Sequence, residues 1–100
     1  MFLFNETIGI DKTVEQEWLL WMKEQHIPAV MNTSMFTGSK IYKVLHDNED
    51  ETVSYSIQYF AESIDNVQQY LDVFAPKILA EFQQKFKDRH VAFRTLLLEI

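Results

Sequence analysis

TVSYSIQYF, residues 52–60, sets Val53, Tyr55, Ile57 and Tyr59 against Ser54, Ser56 and Gln58 in strict alternation. Successive side chains of a strand point to opposite faces, so this period of two predicts a strand with one buried face and one polar face. Upstream, Thr37, Ile41, Tyr42 and Val44 are the β-branched and aromatic residues that strands favour, and they predict a second strand from Phe36 to His46. The acidic stretch DNEDE at 47–51 then reads as the turn that joins the two into a hairpin.

Working outward from this hairpin, MFLFNETIGI at 1–10 places Phe2, Phe4, Ile8 and Ile10 at period two, with Glu6 breaking the apolar row, and predicts a first strand. Asp11 or Thr13 can cap a following helix, with Glu15 and Glu17 in its first turn, where the helix dipole favours negative charge. Val14, Trp18, Trp21, Met22 and Gln25 recur at steps of three or four and Leu19 widens the stripe. Pro28 disfavours helical geometry at Ile27, so this helix should end or kink near His26, restart for one turn through Ala29 to Met31 and give way to a turn at NTS, 32–34.

Beyond the hairpin, Ser63 is an N-cap for a second helix whose stripe runs Ile64, Val67, Leu71, Phe74, Ile78, Phe82 and Phe86, with Pro76 kinking or dividing it. HVAFRTLLLEI at 90–100 is a short apolar run bounded by charge and predicts a closing strand covered on both faces. The order is therefore βαββαβ. It matches the ferredoxin-like α+β sandwich, a four-stranded antiparallel sheet with both helices on one face.

That architecture leaves a sheet face without helices. If Phe2, Phe4, Ile8, Ile57 and Phe93 face the helices, then Leu3, Asn5, Thr7, Ser54, Ser56, Gln58, Phe60, Arg94, Leu96 and Leu98 fall on the other side. Leu3, Phe60, Leu96 and Leu98 would form an exposed apolar patch, and homodimerisation through the helix-free sheet face would cover it.

Composition narrows the function classes. One hundred residues suit one domain spanning 1–100, and 47% hydrophobic residues, eight of them phenylalanine, suffice for a packed core. Fifteen acids against nine bases leave a formal charge of −6, which disfavours nucleic acid and anionic membrane as partners. The densest positive stretch, KFKDRH at 85–90, is explained by a helix C-terminus. The chain has no cysteine, so thiol catalysis, disulfides and zinc-thiolate sites are excluded, and a cytoplasmic location is expected. The first residues show neither the basic segment nor the cleavage site of a secretory leader, and no apolar run approaches the ~20 residues that span a bilayer.

Candidate chemistry starts with His26, which titrates near neutral pH, lies beside aromatics and could accept a proton; the alternative is an imidazole bonded to a helix-end carbonyl. Trp18 and Trp21 could wall a pocket for a planar ligand or belong to the core stripe, and Tyr42, Tyr55 and Tyr59 pose the same choice. Asn5, Ser56, Gln58 and Arg94 could gather on the second face to hold a small anion, unless Arg94 pairs with Glu6 or Glu99. Among the histidines, His26, His46 and His90 share no metal-binding spacing, so no metal is expected. Nor is there a Ser-His-Asp order, a glycine-rich phosphate loop or a paired carboxylate motif, and no cofactor is expected.

EWLLWMKEQHIPAVMNTSMF, YSIQYFAES and FKDRHVAFRTLLLEI together resemble a family of short bacterial proteins known as a domain of unknown function. The pattern carrying the likeness is Trp18 to Met22, His26-Ile27-Pro28, Phe36, Tyr59 and Phe93-Arg94-Thr95-Leu96. The layout also resembles the dimeric α+β barrel superfamily, which includes cofactor-independent monooxygenases, haem-degrading enzymes and small-molecule isomerases. Asn5 fits the first-strand asparagine of the haem-degrading branch, but no Trp follows Trp21, a departure that argues against haem chemistry.

Together these readings point to a non-enzymatic homodimeric binding or assembly module. The alternative is a cofactor-free small-molecule enzyme, monooxygenase- or isomerase-like, with a pocket between helices and sheet, His26 as proton acceptor and Trp18 or Tyr42 as walls.

Overall fold

The structure is a computed structural model that describes residues 1–45 and 51–100. Strand β1 covers Phe2–Asp11, β2 Gly38–Lys43, β3 Thr52–Ala61 and β4 His90–Leu98. All neighbours are antiparallel, in the order β2-β3-β1-β4. Helices α1, Glu15–Trp21, and α2, Ile27–Met31, lie between β1 and β2, and α3, Ile64–Gln69, and α4, Ala75–Lys85, lie between β3 and β4. This is the expected ferredoxin-like βαββαβ sandwich. The second strand begins at Gly38 rather than Phe36, while its expected end at His46 and the turn residues 47–50 lie outside the described residues.

Capping follows side-chain chemistry. Asp11 accepts from the Thr13 backbone N–H at 2.8 Å and from its hydroxyl at 2.7 Å, opening a short 3-10 turn, Lys12–Val14, that leads into α1. The Ser63 hydroxyl accepts from the Asn66 N–H at 3.2 Å and caps α3.

Neither proline ends its helix. A π-helical turn, Met22–His26, joins α1 to α2, and a second, Tyr70–Phe74, joins α3 to α4. In each, the residue just before the proline donates its N–H five residues back, Ile27 to the Met22 carbonyl and Ala75 to the Tyr70 carbonyl. A proline ring in a regular helix collides with the carbonyl four residues earlier, and a turn holding one more residue relieves that collision. The extra residue also shifts the buried stripe. Trp18, Met22, His26 and Val30 are buried at uniform steps of four, and Gln25, expected on the stripe, is exposed. In the second rod Tyr70 and Ala75 are buried, whereas Leu71 and Phe74 are partly buried and Ile64 is exposed.

Phe4, Ile8 and Ile10 of β1 and Val53, Tyr55, Ile57, Tyr59 and Ala61 of β3 form the sheet side of the core beneath the helices. Phe36, Tyr59 and Tyr70 pack around Phe4, with ring centroids 6.0 to 6.3 Å from it. Phe82 and Phe86 meet Trp21 edge-on, each at 5.5 Å.

Strand β4 departs from expectation twice. It is exposed on both faces from Val91 to Leu98, because it is an edge strand and α4 packs only against its first residues, with Phe82 4.6 Å from His90. Its register also sets Glu6 opposite Arg94, Phe4 opposite Leu96, Phe2 opposite Leu98 and Thr7 opposite Phe93. Arg94, Leu96 and Leu98 therefore stand on the helix side and Phe93 on the open side, the reverse of the expected assignment. A shift of one residue flips every side chain of a strand, and an apolar run without alternation carries no signal to prevent the error.

Candidate functional site

Strand β1 carries an acid where its inward row calls for an apolar residue, and Glu6 is only 3% exposed. Two nitrogen-bearing side chains converge on it. From β4, directly opposite, Arg94 donates its Nε–H to Glu6 Oε2 at 3.3 Å. From above, the π-helical turn delivers His26, itself 2% exposed, with Nε2 at 3.9 Å from Glu6 Oε1. Arg94 is the outermost member, with 39% of its side chain exposed. His26 thus bonds no helix-end carbonyl through Nε2; its ring lies 5.4 Å from Trp21 and 5.3 Å from Phe82.

Two tyrosines share the electrostatic environment of this carboxylate. Burial, and then the negative charge of Glu6, hold the Tyr59 hydroxyl well above the ordinary phenol value. Burial and Glu6 push Tyr70 upward as well, with Arg94 opposing. Among the described residues, Glu6 Oε1, His26 Nε2, Tyr59 Oη and Trp18 Nε1 are buried without a hydrogen-bond partner. Several unsatisfied polar atoms in one small core are costly, and such atoms mark functional positions or bound water.

A recess of about 30 Å³ opens onto Glu6 between α4 and β4, walled by Ile8, Leu79, Phe82 and Ala92 and rimmed by Gln83, His90 and Arg94. The His90 Nδ1–H donates to the Phe86 carbonyl at 2.9 Å, anchoring the start of β4 to the end of the second rod. A shallower groove of about 370 Å³ between α2 and α4 shares no lining residue with this recess. Trp18 of α1 and Met22 just beyond it are fully buried.

The candidate residues inferred from sequence divide between the two faces of the sheet. His26, Trp18 and Arg94 are on the helix side, and Trp18 packs against the Tyr55 ring at 4.9 Å. Asn5 and Tyr42 are on the open side. There Asn5 donates to Thr7 at 3.0 Å and accepts from Ser56 at 2.6 Å, while Gln58 donates to Ser56 at 3.5 Å. The expected cluster of Asn5, Ser56 and Gln58 forms, but Arg94 is not part of it; it pairs with Glu6 through the sheet's other side. Sequence reasoning did not assign Glu6 or Tyr70 to a site. For both the signal was present: Glu6 is an acid interrupting the inward row of β1, and Tyr70 follows buried Val67 by three residues, an ordinary helical step.

Among the described residues no three His, Cys, Asp or Glu side chains group to hold a metal ion, and no helix is long and apolar enough to cross a membrane.

This sheet order and helix placement define a ferredoxin-like α+β fold, similar to that of solved structures that include a dimeric ferredoxin-like protein. Over residues 1–100 the chain matches the family described as a domain of unknown function, DUF4286, and it belongs to that family. No curated protein sequence matches it. Among solved structures it is similar to an ethyl tert-butyl ether D (EthD) family protein from Bacillus halodurans, at 13% identity and a TM-score of 0.69 over 100% of both chains. A dimeric ferredoxin-like protein from an uncultured marine organism aligns at 12% identity and a TM-score of 0.69, over 100% of this chain and 95% of that one. A mutant of SnoaB, a cofactor-independent oxygenase from Streptomyces nogalater, aligns at 8% identity and a TM-score of 0.63, over 98% and 92%. At these identities the likeness is one of fold.

Proposed function

We propose that the protein is a homodimeric binding or assembly module, one domain acting in the cytoplasm, whose two copies join through their helix-free sheet faces. The open face carries this reading. Phe60, Leu3 and Leu97 form an apolar row across β3, β1 and β4, and Phe93 and Val91 add exposed apolar surface beside it. The polar residues between them, Asn5, Thr7, Ser56 and Gln58, already satisfy one another by hydrogen bonds, so burying them costs less than burying unpaired groups. Within the stretches 3–9, 38–42, 54–60 and 91–97, no open-face residue is acidic, in a chain with fifteen acids. Asp11, at the end of β1 and bonded to Thr13, is the one acidic strand residue with this parity among the described residues, so two copies meet across the middle of the sheet without bringing carboxylates together. Light scattering of the full chain at micromolar concentration should give twice the 11.9 kDa chain mass, and a monomer overturns the proposal.

A second reading, a cofactor-free enzyme acting on a small molecule, is favoured by the placement of His26 Nε2 beside the buried Glu6 carboxylate. Here His26 accepts a proton from the substrate, and Glu6 stabilises the imidazolium that results. Once a turnover assay exists, unchanged activity in His26→Ala would rule it out.

A further inference from the structure

The distance of 3.9 Å between Glu6 Oε1 and His26 Nε2 is too long for a hydrogen bond and short enough for one atom set to the side to bond both. Both atoms lack partners within the protein, and both side chains are more than nine-tenths buried. A third group is therefore needed to complete the site. The recess of about 30 Å³, of single-water size, is lined by Glu6 and Arg94, while His26 lies outside its lining and packs against Phe82 of its wall at 5.3 Å.

Charge selects the chemistry of that group. The Glu6 carboxylate is already matched by the Arg94 guanidinium, so a charged head group would bring an unmatched charge into a poorly solvated site. A hydroxyl is neutral and two-sided: it donates to the acceptor-only carboxylate and meets the imidazole nitrogen in either tautomer. The surroundings select the rest of the molecule. Leu79, Phe82 and Ala92 wall the recess, and past Arg94 the same side of β4 continues as Leu96 and Leu98, 47% and 56% exposed and uncovered by any helix.

We propose that Glu6, His26 and Arg94 form the head-group site for an uncharged small molecule bearing a hydroxyl on an apolar body, with the body lying along Leu96 and Leu98. The hydroxyl sits between Glu6 Oε1 and His26 Nε2, and the body covers the exposed inner side of β4. This site is the one used by the second reading above, but it requires binding only, not turnover, and it lies on the opposite side of the sheet from the dimer face.

Three four-carbon probes separate head-group charge from apolar contact: 1-butanol, butyrate and butylammonium. Each is titrated into the isotope-labelled full chain, with the His26 imidazole and Leu96 methyl resonances followed by NMR. The expected result is saturable, concerted movement of both with 1-butanol, at least about tenfold tighter than with either ion. Equal affinity for the three probes, or saturation without a response at His26, overturns the proposal. Glu6→Gln leaves Arg94 unmatched and should reverse the preference toward butyrate; Arg94→Gln should shift it toward butylammonium. Because the wild-type comparison decides the matter alone, a variant that fails to fold does not rescue the idea. Saturable binding of 1-butanol leaves the hydroxyl site standing even where unchanged turnover in His26→Ala removes the enzymatic reading.

Discussion

His26 Nε2 faces Glu6 Oε1 across 3.9 Å in the interior, and the π-helical turn Met22–His26 is what brings them together. In a regular helix position 25 would lie nearest the centre of the stripe through Trp18 and Met22, with 26 at its edge, yet Gln25 is exposed and His26 is buried. One extra residue in the turn moves His26 inward and lets Pro28 follow without a clash. A single backbone irregularity thus accommodates the proline and supplies the imidazole. Its counterpart before Pro76 begins at Tyr70, whose hydroxyl feels the same carboxylate.

The Glu6–Arg94 pair should behave as a half-buried ion pair. Arg94→Met leaves the Glu6 carboxylate without its cation and should destabilise the fold by about 1–3 kcal/mol, below the range for fully buried pairs because Arg94 reaches solvent. Replacing both members, Glu6→Met with Arg94→Met, should recover most of that loss, since apolar residues of similar size fill the space without a desolvated charge. Urea unfolding of the wild type, the two single variants and the double variant measures the coupling directly.

Much of the fold was legible because its signals are local. Period two in residues 52–60, the broken period of β1 and the caps at Asp11 and Ser63 each depend on neighbours in the chain, and the structure forms them there. What escaped depends on distant partners. The inward row of β4 is set by pairing with β1, and its apolar residues occur at both parities, so no pattern distinguished Arg94 from Phe93. The expected covering of β4 failed for a similar reason, since an apolar run does not say which strand becomes the edge. The Glu6–His26 contact needed both the sheet and a phase shift that regular helical spacing does not contain.

The Ser63 cap offers a local test of the signals that were read correctly. Ser63→Ala removes the acceptor for the Asn66 N–H and should cost about 1 kcal/mol, while Ser63→Asp should restore most of it. Thermal melts of the three proteins, compared at neutral pH, give the differences.

Tyr55 links the start of α1 to the sheet and should make stability depend on pH at both extremes. Its hydroxyl donates to Glu15 Oε2 at 2.6 Å, and Lys43 Nζ lies 3.2 Å from the same oxygen. The Tyr55 bond, with Lys43 assisting, holds Glu15 below the ordinary value of 4.5, so this contribution is present above that pH and is lost as pH falls through the lowered folded value. Burial, with Glu15 assisting, pushes Tyr55 from 10.0 up to about 12, so its contribution is present below 10.0 and is lost as pH rises toward 12. Tyr55→Phe should cost about 1 kcal/mol at pH 7 and flatten the stability profile in both windows. Urea midpoints measured across the acid and alkaline ranges check both signs.

The open sheet face can be tested by substitutions on adjacent residues that point opposite ways. Phe93 is 64% exposed, sits opposite Thr7 and lies on the helix-free side, whereas Leu96, 47% exposed, sits opposite Phe4 on the helix side. If two copies join face to face, Phe93→Glu buries a carboxylate in the contact and, by symmetry, places a second one on the facing copy. Dissociation should strengthen by a factor of about 100 or more, a loss of roughly 3 kcal/mol of association free energy. Leu96→Glu should leave the dimer intact because its side chain points away from the partner. Neither residue is part of the buried core, so the folded protomer should keep its circular dichroism spectrum in both variants. Analytical ultracentrifugation over a concentration series distinguishes the outcomes. Dissociation by Leu96→Glu but not Phe93→Glu would place the contact on the inner side of β4, and equal, unchanged dimers in both would remove the sheet from the interface.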